Sequence, residues 1–115
     1  KQPIPGLGVS NTIRRAVASW AKTLSSEVAS NGITINNILP GFTDTDRLSS
    51  LSESISKKTG KEVEEVRREW MKSVPIQRLI DPLETANAIT WLSLPSSGAI
   101  RGVSLAVDGG RMRSI

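Results

Sequence analysis

The residues with the clearest chemical potential are two glycines near the start of the chain and two aspartates before its middle. Gly6 and Gly8 begin a G-x-G-x-x-G pattern, the phosphate-binding turn of dinucleotide sites, but Asn11 replaces the third glycine and no predicted strand precedes the turn. Asp44 and Asp46 offer oxygen ligands to a metal ion. No further ligand follows them at a recognisable spacing, so capping of the next helix is favoured. The sequence therefore predicts neither a complete phosphate cradle nor a metal site.

The residue types that are missing narrow the chemistry further. The 115 residues include no histidine, cysteine or tyrosine. Histidine is the commonest general base, so a Ser-His-Asp triad is excluded. Without cysteine there is no disulfide, thiolate nucleophile or zinc-finger-type site, and without tyrosine no phenol can donate a proton. Chemistry by this chain alone has to use carboxylates, lysine, arginine, hydroxyls or backbone amides.

Apolar periodicity predicts the elements that would position these residues. Over Ser10–Asn31, apolar residues recur three and four positions apart, which predicts an amphipathic helix stopped by the following glycine. The β-branched run Ile33–Leu39 predicts a buried strand that ends at a Pro-Gly turn. After the turn, residues 42–80 are expected to form a helical insert, in which Thr59 and Glu62 have the spacing of a capping box.

The last third of the chain repeats the order of helix and strand. Asp81, Pro82 and Glu84 form the preferred start of a helix, whose expected buried stripe is Leu83, Ala86, Ile89 and Leu92. Alternating residues from Val103 to Val107 predict a final strand. Because a helix precedes each strand, right-handed crossovers in a parallel sheet are expected. Two strands are too few for an independent parallel sheet, so the chain is expected to be part of a larger α/β domain.

The charge pattern bears on partners and location. Lysine and arginine outnumber aspartate and glutamate by 15 to 11, a net charge of +4. The basic residues between Lys57 and Lys72 alternate with glutamates, as on a solvated helix, and the aromatic residues do not interleave with them, so no nucleic-acid partner is expected. No apolar run reaches the length of a membrane span. The chain begins without methionine or signal-peptide features, and we expect an internal segment of a cytoplasmic protein.

Four segments together resemble the C-terminal part of the short-chain dehydrogenase/reductase family. In chain order they are SNTIRRAVASWAKTLSSEVA, GITINNILPGFTDT, QRLIDPLETANAITWLS and VDGG. The resemblance implies that residues 1–115 are the C-terminal half of one doubly wound, parallel-sheet Rossmann domain that binds NAD or NADP. The N-terminal half, with the glycine-rich phosphate loop, would be absent, and residues 42–80 would be the substrate-loop insert.

The resemblance assigns cofactor contacts to the turn after the first strand. Pro40 and Gly41 would close over the nicotinamide, backbone groups near Thr43 would bond its carboxamide, and the Thr45 hydroxyl would reach the carboxamide or the pyrophosphate. Phe42 would pack on the cofactor or fill the core. Independently of the family, a Pro-Gly turn at the carboxyl end of a strand places amides in the crevice where α/β sheets bind ligands. An ordinary strand-to-loop turn is the alternative.

This chain lacks the family's catalytic Tyr-x-x-x-Lys pair. Leu7 stands at the position of the tyrosine and Asn11 at that of the lysine, a pattern similar to an atypical branch that carries L-S-N-x-x-R. Asn11 and Arg14, one helical turn apart, are the candidate catalytic residues. Asn11 would bond the cofactor ribose, and Arg14 the ribose or an acidic substrate. Alternatively, both are surface groups of a helix start.

Three functions remain open at this point. The first, implied by the resemblance, is NAD- or NADP-dependent hydride transfer to or from a small-molecule carbonyl or hydroxyl, with a 3-oxoacyl thioester as the candidate substrate; the fragment alone is expected to be inactive. The second is a non-catalytic nucleotide-binding or assembly subunit. The third is a free-standing helical module that binds an acidic partner. The resemblance also implies a homo-oligomer that forms through helix 10–31.

Overall fold

The computed structural model describes residues 6–113, which form four α-helices and two strands. The elements are α1 (Gly8–Glu27), β1 (Asn37–Pro40), α2 (Asp46–Thr59), α3 (Val63–Lys72), α4 (Pro82–Leu92) and β2 (Ser104–Val107), with short 3-10 turns at Ala29–Asn31 and Pro95–Ser97. The predicted order of helix, strand, helical insert, helix and strand is confirmed. The described chain is an α/β structure with a parallel sheet, as in part of a Rossmann fold.

The two strands pair in parallel over four residues. Asn37 lies opposite Ser104 and Pro40 opposite Val107, and α4, on the connection between the strands, packs against both. Before β1, the Val103 amide donates to the Asn36 side chain, at 3.1 Å from Oδ1, and not to a main-chain carbonyl. The strand pairing thus begins at Asn37, so β1 is shorter than the predicted strand and begins four residues later.

A left-handed glycine ends α2, and its position corrects a prediction. Gly60 (φ 74°) closes α2, and its amide donates to the Ser56 carbonyl at 2.9 Å. Thr59 is the last residue of α2 and its hydroxyl donates to Ile55, so the predicted capping box of Thr59 and Glu62 is wrong. The spacing was right, but a glycine at this position stops the preceding helix before the next one starts.

The start of α4 is the capping box that the sequence predicts. Asp81 Oδ1 accepts from the Leu83 amide at 2.8 Å, and Glu84 Oε2 accepts from the Asp81 amide at 2.9 Å. Arg78 holds the same glutamate with both guanidinium nitrogens, Nη1 to Oε2 at 2.7 Å and Nη2 to Oε1 at 2.8 Å. One carboxylate thus joins the helix start to the preceding loop.

This arrangement predicts an acid-sensitive contact. The Arg78 hydrogen bonds, followed by the Asp81 amide, lower the pKa of Glu84 to about 2. Since the pKa is lowered by folding, the contribution of Glu84 to stability is complete above the ordinary carboxyl pKa and is lost as pH falls through about 2. We expect Arg78→Gln in the complete protein to raise the Glu84 pKa, measured by carbon-detected NMR titration. Arg68→Gln, outside this contact, is the control, and an unchanged Glu84 pKa in Arg78→Gln would contradict the assignment.

Gln77 occupies a backbone conformation that favours glycine. Its φ is +54°, and it is the one described non-glycine residue with positive φ. A side chain in this region strains the folded backbone by about 1–2 kcal/mol. Glycine would remove this strain, but it would also make the unfolded chain more flexible, which offsets part of the gain. Gln77→Gly is therefore expected to raise the free energy of unfolding by about 0.5–1 kcal/mol in urea titrations. Ser73→Gly, at an ordinary φ of −81°, should lower it.

The molecule is extended, and its core is small. The radius of gyration is 16.5 Å, against about 13 Å for a compact chain of this length. Five apolar side chains are buried within residues 6–113: Ala21, Val66, Val74, Ile80 and Leu92. Three of the four residues in the predicted buried stripe of α4 are exposed, so that prediction is wrong except at Leu92. The face of α4 that turns inward carries half-buried Thr85 and Ala88 beside Leu92.

Most of the apolar stripe on α1 is also exposed. Ile13, Val17 and Trp20 are 49–62% exposed, whereas Ala21 and Ser25 near the end of the helix are buried. The C-terminal part of α1 is thus the part that packs on the rest of the chain. No helix within residues 6–113 is both long and apolar enough to cross a membrane.

Candidate functional site

The loop Gly41–Thr45 joins β1 to α2 and contains most of the residues predicted to bind a cofactor. Pro40, the last residue of β1, lies opposite Val107, and the Gly41 amide donates to the Val107 carbonyl at 2.9 Å. The loop therefore starts at the carboxyl ends of two adjacent parallel strands. In open α/β sheets this is the edge where ligands bind.

A second attachment holds the middle of the loop. Thr43 forms an isolated parallel bridge with Ile80, in which the Ile80 amide donates to the Phe42 carbonyl at 2.8 Å and the Asp44 amide donates to the Ile80 carbonyl at 2.9 Å. Ile80 is buried, so the bridge is fixed to the core. The amides of Phe42 and Thr43 make no hydrogen bond to a protein group within residues 6–113, which makes them candidate donors to a ligand.

Gly41 lies against the residue that follows β2. A Cβ at this position would stand 2.7 Å from Asp108 Cα and 3.2 Å from the Asp108 carbonyl oxygen. Both are main-chain atoms, which cannot rotate away as a flexible side chain does. Glycine at position 41 thus permits the two strand ends to approach each other closely.

Thr45 has a structural use besides the one predicted for it. Its Oγ1 accepts from the Leu48 amide at 3.4 Å as the N-cap of α2 and donates to the Thr43 carbonyl at 3.4 Å. The cap is therefore Thr45, and the prediction that Asp44 or Asp46 caps this helix is wrong. Both hydrogen bonds are long, so this hydroxyl is weakly engaged by the protein. Residues 6–113 contain no cluster of three acidic side chains able to hold a metal ion.

The Phe42 ring packs on protein groups. It stacks on the Trp70 indole of α3, with centroids 5.2 Å apart and planes inclined by 16°. The Arg111 guanidinium carbon lies 4.1 Å from the centre of the same ring. Sequence reasoning missed Trp70 and Arg111 as neighbours of the loop, because no periodicity links positions 42, 70 and 111.

The start of α1 forms a separate group of candidate residues. Leu7 is the N-cap and makes no side-chain capping bond, while the Asn11 amide donates to the Leu7 carbonyl at 2.8 Å. Arg14 is exposed, and its Nε donates to Ser10 Oγ at 3.1 Å. No strand among the described residues precedes this helix, so the Gly6-x-Gly8 pattern has no phosphate-loop context here. Apart from bonds within the loop and to α2, the hydrogen bonds of the Gly41–Thr45 backbone within residues 6–113 run to Val107 and Ile80 and not to α1.

The sequence of this chain is similar to proteins of one family. The sequence profile of the family described as enoyl-(acyl carrier protein) reductase matches residues 1–111. The 3-oxoacyl-[acyl-carrier-protein] reductase FabG of Chlamydia trachomatis is 37% identical over 97 residues, which are 84% of this chain and 35% of that protein.

Two solved structures extend the likeness to the fold. The NADPH-dependent reductase YwfH, involved in bacilysin biosynthesis, superposes with a TM-score of 0.91 at 27% identity over 99% of this chain and 43% of its own. The actinorhodin polyketide ketoreductase with NADPH gives a TM-score of 0.91 at 28% identity over 98% of this chain and 43% of its own. This chain spans less than half the length of each of these relatives. It belongs to the short-chain dehydrogenase/reductase family and corresponds to the C-terminal region of such proteins.

Proposed function

We propose that this chain is the C-terminal half of an oxidoreductase that transfers hydride between NAD or NADP and a carbonyl or hydroxyl substrate. The observation that carries the proposal is the loop Gly41–Thr45, which presents the free amides of Phe42 and Thr43 at the carboxyl ends of two parallel strands. Amide donors fit the carbonyl oxygen of a nicotinamide carboxamide. The missing N-terminal half would contribute the phosphate-binding loop, so the present residues would hold the nicotinamide end.

Within this proposal, the bound nicotinamide supplies or accepts the hydride and the protein orients it. Phe42 and Thr43 donate their amides to the carboxamide, and Thr45 adds a hydroxyl beside them. Asn11 contributes hydrogen-bond donors to the ribose, and Arg14 binds the ribose or an acidic group of the substrate. Leu7 carries no ionisable group, so the proton transferred with the hydride does not come from this position.

The substrate class that we favour is a 3-oxoacyl thioester. The support is the similarity to a 3-oxoacyl-[acyl-carrier-protein] reductase over 84% of this chain. Arg14 is exposed near the start of α1, and its guanidinium has donors for a substrate oxygen.

A non-catalytic nucleotide-binding or assembly subunit is the second candidate. Leu7 and Asn11 favour it, because neither side chain can perform the proton transfer of the Tyr-Lys pair. In this alternative the cofactor binds at the same loop and no hydride is transferred.

Turnover of the complete protein separates the two candidates. Nicotinamide absorbance is followed over a panel of 3-oxoacyl thioesters, ketones and alcohols, with cofactor binding measured in parallel. We expect turnover that Asn11→Ala and Arg14→Ala each reduce by about tenfold or more, the loss of a charged or polar contact made in the transition state. Binding without turnover on any substrate would favour the assembly subunit, and the absence of both would contradict both candidates.

We also propose that the complete protein is a cytoplasmic homo-oligomer that forms through α1, the helix predicted over residues 10–31, which in the structure ends at Glu27. The support is the exposed apolar stripe of Ile13, Val17 and Trp20, since exposed apolar surface of this kind marks an interface. The N-terminal half of the same domain is the other expected partner. Light scattering of the complete protein, with Val17→Glu as the variant, tests the contact: the oligomer should dissociate, whereas an unchanged mass would contradict it.

A further inference from the structure

Three segments that are distant in sequence meet at the ring of Phe42. The ring belongs to the loop after β1, Trp70 belongs to α3, and Arg111 follows β2. A guanidinium over an aromatic face and two stacked rings are both attractive geometries. The Phe42 ring therefore connects the loop both to the helical insert and to the C-terminal segment.

The turn that carries Arg111 is fixed from within. Asp108 accepts from the Gly110 amide through Oδ1 at 3.0 Å and from the Met112 amide through Oδ2 at 2.8 Å, and its carbonyl accepts from the Arg111 amide at 3.3 Å. The same Asp108 is the residue against which Gly41 packs. One turn thus confines two successive loop residues, Gly41 by close main-chain packing and Phe42 through the Arg111 guanidinium.

The loop needs such support because its backbone is only partly bonded. Its hydrogen bonds to Ile80 use the Phe42 carbonyl and the Asp44 amide, and leave the Phe42 and Thr43 amides without a protein acceptor within residues 6–113. Donors bind a ligand well when their direction is set before the ligand arrives. The Ile80 amide holds the Phe42 carbonyl at 2.8 Å, and the Thr43 hydroxyl donates to the Gly41 carbonyl at 3.2 Å. Packing of the Phe42 side chain adds a further restraint on the backbone between the two amides.

We propose that Trp70 and Arg111 are positioning residues for the nicotinamide site: they hold Phe42, and Phe42 holds the two free amides in place for the carboxamide. The proposal rests on the proposed function of the loop. Trp70 and Arg111 act through Phe42, so their removal should weaken cofactor binding even though neither contacts the cofactor. A residue that keeps the interaction with the ring should preserve binding.

Conservative and non-conservative variants of the complete protein test this role. Dissociation constants for NADH and NADPH are measured by nicotinamide fluorescence, with thermal unfolding as a check on folding. Arg111→Gln and Trp70→Leu are each expected to weaken binding about three- to tenfold, the size of one lost cation–π or stacking contact. Arg111→Lys and Trp70→Phe retain a cation and a ring and should bind within about twofold of the parent. Arg113→Gln, which removes the same charge two residues away, is the control and should bind like the parent.

A double-mutant cycle then asks whether Arg111 acts through the ring. In a Phe42→Leu background, Arg111→Gln should have no further effect on cofactor affinity. An undiminished effect in that background would overturn the positioning role and assign Arg111 to direct binding. Equal affinities of the parent, Arg111→Gln and Trp70→Leu would overturn the proposal while leaving the proposed function intact. Failure of the parent to bind either nucleotide would overturn both.

Discussion

Gly109→Ala is expected to lower the free energy of unfolding of the complete protein by about 2–5 kcal/mol, the sum of backbone strain and overpacking. Gly109 has a φ of +65°, a conformation that costs an L-residue about 1–2 kcal/mol. A Cβ would also stand 2.5 Å from Ile76 Cγ1 and 2.7 Å from Val74 Cγ1. Val74 is 1% exposed and cannot move aside, so the added methyl group should separate the turn after β2 from the loop that precedes α4.

Gly60→Ala separates the two contributions to this loss. Gly60 has nearly the same conformation, with a φ of +74°, but a Cβ there would meet no atom within 4 Å. Its alanine variant should therefore lose only the strain of about 1–2 kcal/mol. Urea unfolding of both variants measures the difference, and equal losses would contradict the overpacking at Gly109.

Gly41→Ala should damage both stability and ligand binding. Its Cβ would stand 2.7 Å from Asp108 Cα, and relief requires movement of the main chain at the carboxyl ends of both strands. We expect a loss of about 1–3 kcal/mol in the free energy of unfolding, typical of overpacking. Because the displaced loop carries the Phe42 and Thr43 amides, nicotinamide binding should weaken in the fraction that remains folded.

Gly8→Ala is the matched control for this variant. A Cβ at Gly8 would meet no atom within 4 Å, and the residue is the first of α1, where alanine loses less conformational freedom on folding than glycine does. Its unfolding free energy should be unchanged or higher. A stable Gly41→Ala protein with parental nucleotide affinity would contradict the account of the loop, whatever the result at Gly8.

Local signals in the sequence predicted the elements better than they predicted burial. The capping box at Asp81 and Glu84 was correct because all its atoms lie within one helical turn. The pattern of Thr59 and Glu62 failed because Gly60 between them satisfies the carboxyl end of α2. Leu83 is 67% exposed although its spacing predicts a core residue. Periodicity identifies an apolar face, but whether this chain itself covers that face depends on tertiary packing.

The candidate site was predictable only where its residues are consecutive. The run Pro40–Thr45 was identified from the Pro-Gly turn after a β-branched strand and from the family resemblance. The packing of Phe42 against Trp70 and Arg111 depends on the paths of α3 and of the turn after β2, which no local pattern encodes. The same holds for Gly41, whose need for a small residue comes from Asp108, far away in the sequence.

Amide-resolved hydrogen exchange of the complete protein, with and without NADH or NADPH, tests the central claim most directly. If the loop Gly41–Thr45 holds the nicotinamide, the Phe42 and Thr43 amides should exchange more slowly when the nucleotide is bound. The amide of Lys61, in the link between α2 and α3, should be unaffected. Saturable nucleotide binding that leaves the Phe42 and Thr43 amides unprotected, or no binding at all, would contradict the account.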